Sequence, residues 1–209
     1  MHKPILYIFI LLVTANIHAQ QTKMSVEEIS SFKLKVKTTA KNTKTILSNF
    51  TQYKHLEFLS NDIKTSGKMS FKAPNLVKWE YVNPFKYSVV FKEDQLLIND
   101  DGKKSDVKIG SSKMFKKLNQ LIVNSVNGDM FDDSEFDTSY YKTSSFYVVL
   151  FTSKDKNLSK YIKQFILHFS KKELHVTEVK MIEPSDDYTQ ILFKNRQDNI
   201  TLNDEVFTN

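Results

Sequence analysis

From Thr45 to Val107, and again from Phe136 onward, apolar side chains recur at every second position. That period of two confines most of the chain to short strands with one buried face. Ile46, Ser48, Phe50 and Gln52 share one face, and Ile63, Thr65, Gly67, Met69 and Phe71 share another. Val77, Trp79 and Tyr81 alternate with polar neighbours, and Tyr87, Val89 and Phe91 follow Pro84. Leu96 to Asn99 leads into the turn sequence Asn99-Asp100-Asp101-Gly102. Later strands are expected at Phe136–Lys142, Phe146–Thr152, Phe165–Ser170, His175–Glu183 and Tyr188–Phe193, with a last short one near Ile200–Leu202. Close spacing with tight turns predicts an antiparallel meander.

Two segments break the alternation. Ser25 with Glu28 has capping-box spacing, and Val26, Ile29, Phe32, Val36 and Ala40 form one helical face. A second amphipathic helix is expected after Ser111 or Ser112, with Met114, Phe115, Leu118, Leu121 and Ile122 on one face and Gly128 at its end. Roughly ten strands need two stacked sheets or one strongly curved sheet. A single curled sheet with helices on its open side accounts for both kinds of element. The expected fold is therefore mostly β (α+β): an incomplete, strongly curved antiparallel β-barrel whose open side is covered or plugged by helices. Phe50, Met69, Phe71, Trp79, Val89 and Phe91 on the sheet, with Met114, Phe115, Leu118, Leu121 and Ile122 on the second helix, are the candidate lining of an apolar interior. Periodicity alone does not separate a filled core from a hollow one.

The first nineteen residues read as a cleavable signal peptide. Lys3 supplies a positive start, and Ile5–Val13 is an apolar run too short to cross a hydrocarbon layer of about 30 Å as a helix. Cleavage fits best between Ala19 and Gln20, leaving residues 20–209 as one exported domain. The chain has no cysteine, which excludes disulfides, thiolate metal sites and a lipid-modified N-terminal cysteine. Its formal charge of +6 becomes +5 without Lys3. The cations are lysines except Arg196, and dispersed lysine reads as a solvated surface with weak attraction to anionic lipid. Nucleic acid is not an expected partner, since its recognition favours arginine's planar fork.

No catalytic constellation appears. The glycines form no phosphate-cradling loop, and no GxSxG elbow is present. His55, His168 and His175 lack metal-ligand spacing and read as strand-surface or turn residues. Asp100-Asp101 and Asp186-Asp187 fall in turns, where aspartate bonds local backbone. Neither an enzyme nor a metal or other cofactor is expected.

The block from Gly67 through Met69, Phe71, Pro74, Asn75 and Leu76 to Trp79 resembles the signature of the periplasmic lipoprotein carriers, the LolA family. Pro84 follows at the family's distance, and Asp94–Asn99 is similar to its next strand. Upstream, Phe50-Thr51-Gln52 matches the strand after the first helix; downstream, Glu183–Tyr188 is similar to the late hairpin. The resemblance implies an incomplete barrel with a helical lid. It implies a carrier that shields the acyl chains of a lipoprotein and passes them from an inner-membrane exporter to an outer-membrane receptor. Its partners would be the acylated cargo, the exporter and the receptor, met by a monomer with transient contact to membrane surfaces. The lack of cysteine after Ala19 favours the shuttle over the anchored receptor of the same family. In the best-known carriers an arginine before the central proline ties down the lid; here that position is Ala73. The resemblance therefore leaves a carrier or sensor of another lipid or amphiphile as the alternative.

Overall fold

The computed structural model describes residues 21–92, 95–108, 124, 131 and 136–208. Helix α1 (Val26–Lys41) lies between a two-residue strand β1 (Thr22–Lys23) and β2 (Thr45–His55). Then come β3 (Ile63–Lys72), β4 (Leu76–Asn83), β5 (Tyr87–Lys92), β6 (Gln95–Asp100) and β7 (Lys103–Lys108). After the segment outside the described residues follow β8 (Phe136–Lys142), β9 (Phe146–Ser153), β10 (Gln164–Ser170), β11 (Val176–Ile182) and β12 (Tyr188–Asp198). A 3₁₀ turn at Asp204–Phe207 comes near the C-terminus.

All twelve strands form one antiparallel sheet, in the order β1-β8-β9-β10-β11-β12-β2-β3-β4-β5-β6-β7. It is two meanders, β2 to β7 and β8 to β12, fused where β12 pairs with β2 over Tyr188↔His55 to Asp198↔Ile46. The outer strands β1 and β7 are not joined, so the barrel is open, as expected. β7 is exposed along its length and carries Lys103, Lys104 and Lys108, the charged dress that discourages edge-to-edge pairing.

The first helix begins as its sequence dictates. The Ser25 amide donates to Glu28 Oε2 at 3.0 Å, and the Glu28 amide donates to Ser25 Oγ at 3.3 Å. Glu28 also pairs with Lys142 of β8, which pins the helix to the sheet and holds its carboxyl below the usual range. Phe32, Val36 and Ala40 are buried. The Phe32 ring meets Phe169 edge-on at 5.2 Å and Phe131 at 5.5 Å. Removing the cap with Ser25→Ala is expected to cost about 1 kcal/mol. At this chain length that lowers the melting midpoint by about 2–4 °C, measurable by calorimetry.

One expected element is absent. No strand forms at Ile200–Leu202. Instead β12 runs to Asp198, and Asn199 turns the chain with φ 57°. The Asn199 side chain then binds both sides of the helix end. Its Oδ1 accepts from the Lys44 amide at 2.7 Å, and its Nδ2 donates to the Asn42 carbonyl at 3.0 Å. The carbonyls of Ile200 and Leu202 accept from the Thr45 hydroxyl and the Lys72 ammonium, so this backbone is satisfied without a ladder.

Candidate functional site

The buried apolar residues divide into two clusters. One joins α1 to β8–β10 and holds Phe32, Val36, Val149, Phe151, Phe165, Leu167 and Phe169. The other spans β2 to β6 and holds Ile46, Phe50, Met69, Phe71, Val77, Trp79, Phe91 and Leu96. Between them lies a cavity of about 520 Å³. Val107 of β7 and Phe151 of β9 both line it, so the sheet curls round the space from both ends of its strand order.

The wall is largely apolar. β3 to β6 contribute Met69, Trp79, Tyr81, Val89, Phe91, Leu96 and Ile98. β10 to β12 contribute Phe165, Leu167, Val179, Met181, Ile191 and Phe193, and α1 closes one side with Val36, Thr39 and Ala40. Of the candidates chosen from the sequence, Met69, Trp79, Val89 and Phe91 stand on this wall. Phe50 and Phe71 do not, being 2 % and 0 % exposed within the second cluster. Phe50 backs the wall, with its ring 4.9 Å from Trp79 and 5.2 Å from Tyr81. Phe71 stands opposite Ile46 and Val77 and belongs to the same cluster. Met114, Phe115, Leu118, Leu121 and Ile122 lie outside the described residues.

Gly67 stands opposite Phe50. A Cβ there would lie 2.8 Å from Phe50 Cζ and closer still to the Glu80 carbonyl oxygen. The glycine of the central block is thus required by two neighbours at once. Ala73 is partly buried against the second cluster, and its amide donates to the Lys44 carbonyl at 2.8 Å.

Polar groups gather near the C-terminal end of α1. Thr39, Thr43, Ser48, His175 and Arg196 all line the cavity. Arg196, which the sequence marks only as the single arginine, has a side chain 15 % exposed. The cause is a bulge. Lys194 pairs with Asn49 and Gln197 with Leu47, so Asn195 and Arg196 together face Ser48. The inward face of β12 runs Thr189, Ile191, Phe193, and strict alternation would send residue 196 outward. The bulge, with Asn195 at φ 54°, reverses that parity. Asparagine tolerates this conformation, and Asn195 is the only signal in the sequence that pointed to it.

Arg196 Nε donates to Asp198 Oδ1 at 2.8 Å. Burial pulls the guanidinium pKa down, and Asp198 opposes the shift. His175 Nε2 lies 3.4 Å from Glu173 Oε2. Burial, then the charge of Arg196, pushes its pKa down. The other two histidines among the described residues each sit beside a carboxylate: His55 Nδ1 is 2.8 Å from Asp62, and His168 Nδ1 is 3.2 Å from Glu178. Among the described residues no group of histidine, cysteine and carboxylate side chains could hold a metal ion, and no helix is long and apolar enough to cross a membrane.

Residues 41–209 match the model of the family described as outer membrane lipoprotein carrier protein LolA. No curated protein matches in sequence. Among solved structures, a DUF1329 family protein from Desulfovibrio piger superposes with a TM-score of 0.50 at 14 % identity, covering 85 % of this chain and 94 % of that one. A LolA superfamily protein from Nitrosomonas europaea gives 0.45 at 10 % identity over 86 % and 97 % of the two chains. The Mycobacterium tuberculosis lipoprotein LppX gives 0.48 at 9 % identity over 83 % and 98 %. At these identities the likeness is one of fold.

Proposed function

The chain belongs to the LolA family of outer membrane lipoprotein carriers, and on that premise we propose that it shields the acyl chains of a lipoprotein in its cavity and carries them across the periplasm from the inner to the outer membrane. Residues 20–209 act as one carrier domain, released by cleavage of the leader. Its partners are the acylated cargo, an inner-membrane exporter and an outer-membrane receptor, and it works without catalysis.

The observation that carries this reading is the apolar hollow between two packed clusters. An ordinary core would close such a gap, because interiors pack as densely as organic crystals. An acyl chain gains about 0.8 kcal/mol for each methylene taken from water. Sixteen methylenes give a gross gain on the order of 13 kcal/mol, against an association cost of about 4–15 kcal/mol. The balance suits capture followed by release. Met69 and Met181 on the wall adapt to a mobile chain, as thioethers on three rotatable bonds do.

The second reading, a carrier of another amphiphile, is favoured by Ala73 at the position of the family's lid arginine. The two readings part on the cargo. Protein purified from native periplasm is to be analysed by mass spectrometry for what travels with it. Acylated lipoprotein is expected; recovery of free lipid alone would overturn the first reading in favour of the second.

A further inference from the structure

The polar end of the cavity carries groups that shielding hydrocarbon does not require. Arg196 is the chain's single arginine, and it is turned inward where strict alternation would leave it in solvent. Two non-glycine residues with positive φ precede the two basic side chains: Leu174 at 57° before His175, and Asn195 at 54° before Arg196. A β-branched or bulky residue rarely adopts that region, and leucine gains nothing there from local hydrogen bonding. Strained backbone that places polar side chains in a cavity persists where the placement is used.

The groups placed there are donors that lack acceptors. Arg196 bonds Asp198 through Nε alone. Neither Nη finds a hydrogen-bond partner among the described residues, although these two nitrogens form the fork that grips carboxylates and phosphates. On the same wall, Trp79 Nε1 is buried with no acceptor among the described residues. An indole N–H can only donate. A pure hydrocarbon chain would satisfy neither donor, whereas an occupant with oxygen acceptors at one end can.

We propose that Arg196, flanked by His175, is a headgroup subsite for an anionic single-chain amphiphile, a carboxylate or phosphate monoester whose tail fills the apolar part of the cavity. This inference rests on the second reading, a carrier of another amphiphile, and narrows its ligand. Asp198 holds the guanidinium through Nε without using its fork, and Glu173 lies beside His175.

The test uses delipidated full chain and the fluorescence of Trp79, the only tryptophan. The probes are palmitate, hexadecyl phosphate and hexadecanol, matched in chain length and different in head. At neutral pH at least one anionic probe is expected to bind on the order of tenfold tighter than the alcohol, the scale of a charge-assisted bidentate bond. Whether palmitate or hexadecyl phosphate leads identifies the headgroup. Arg196→Gln is expected to erase the preference, and Asp198→Asn, which frees the remaining donor, to widen it. The second variant keeps the question decidable should the first not fold. Equal affinity for all three probes, or a preference that survives Arg196→Gln, would overturn the subsite and leave the carrier standing. Failure of every probe to bind would overturn both.

Discussion

Ile191→Glu is expected to lower acyl-chain affinity by at least about a hundredfold while the protein stays folded. Ile191 sits in β12, the strand that fuses the two meanders, opposite Val179 on one side and Gln52 on the other. Its side chain is half-buried and faces the cavity. An empty cavity lets water reach a carboxylate placed there, so the folded protein tolerates it. A bound hydrocarbon chain would strip that water and leave an unpaired charge in an apolar wall, at a cost of several kcal/mol. The measurement is displacement of a fluorescent fatty-acid probe, with a thermal melt beside it. Lys194→Glu, exposed on the same strand, serves as the control and is expected to bind as the parent does. If Ile191→Glu binds normally, acyl chains sit elsewhere. If it collapses on heating instead, the hollow is a packed core and the carrier reading loses its main support.

That experiment concerns a residue the sequence left unremarked, and the reason is physical. Alternation reports which residues share a face, and Met69, Trp79, Val89 and Phe91 all line the cavity. It does not report how far apart two faces stand. Phe50 and Phe91 have the same pattern, yet one backs the wall and the other lines it, because curvature of the sheet decides which inward residues meet across the barrel. The capping box of Ser25 and Glu28 was legible because it is local, closing within four residues. β7 was not, since an edge strand need bury nothing: Lys103–Lys108 is exposed throughout and pairs with β6. β1, with two residues opposite Lys142 and Tyr141, is too short to show a period. Arg196 was hidden by the bulge at Asn195, which shifts parity by one and so defeats any inference that counts in twos.

Gly67→Ala is expected to destabilise the fold by about 3 kcal/mol, the upper end of the usual range for an added methyl. In a domain of this size that is a fall of about 6–12 °C in the melting midpoint. The new Cβ would meet the Glu80 carbonyl oxygen well inside van der Waals contact and Phe50 Cζ at 2.8 Å. The ring can yield. The carbonyl cannot, for it belongs to the backbone of β4, which is paired with β3 from Gly67↔Tyr81 to Lys72↔Leu76. Gly102 gives the contrast: it has φ 93° but nothing within 4 Å of a Cβ, so Gly102→Ala is expected to cost about 1 kcal/mol from backbone conformation alone. A double variant separates the two obstacles at Gly67. In a Phe50→Ala background the ring is gone while the carbonyl stays. If the backbone governs, Gly67→Ala costs nearly as much there as in the parent, and the coupling between the sites is small. If crowding by the ring governs, most of the cost disappears. The first outcome makes the glycine a condition of β3–β4 pairing, and so of the wall that carries Met69 and Trp79; the second makes it only a seat for one aromatic ring.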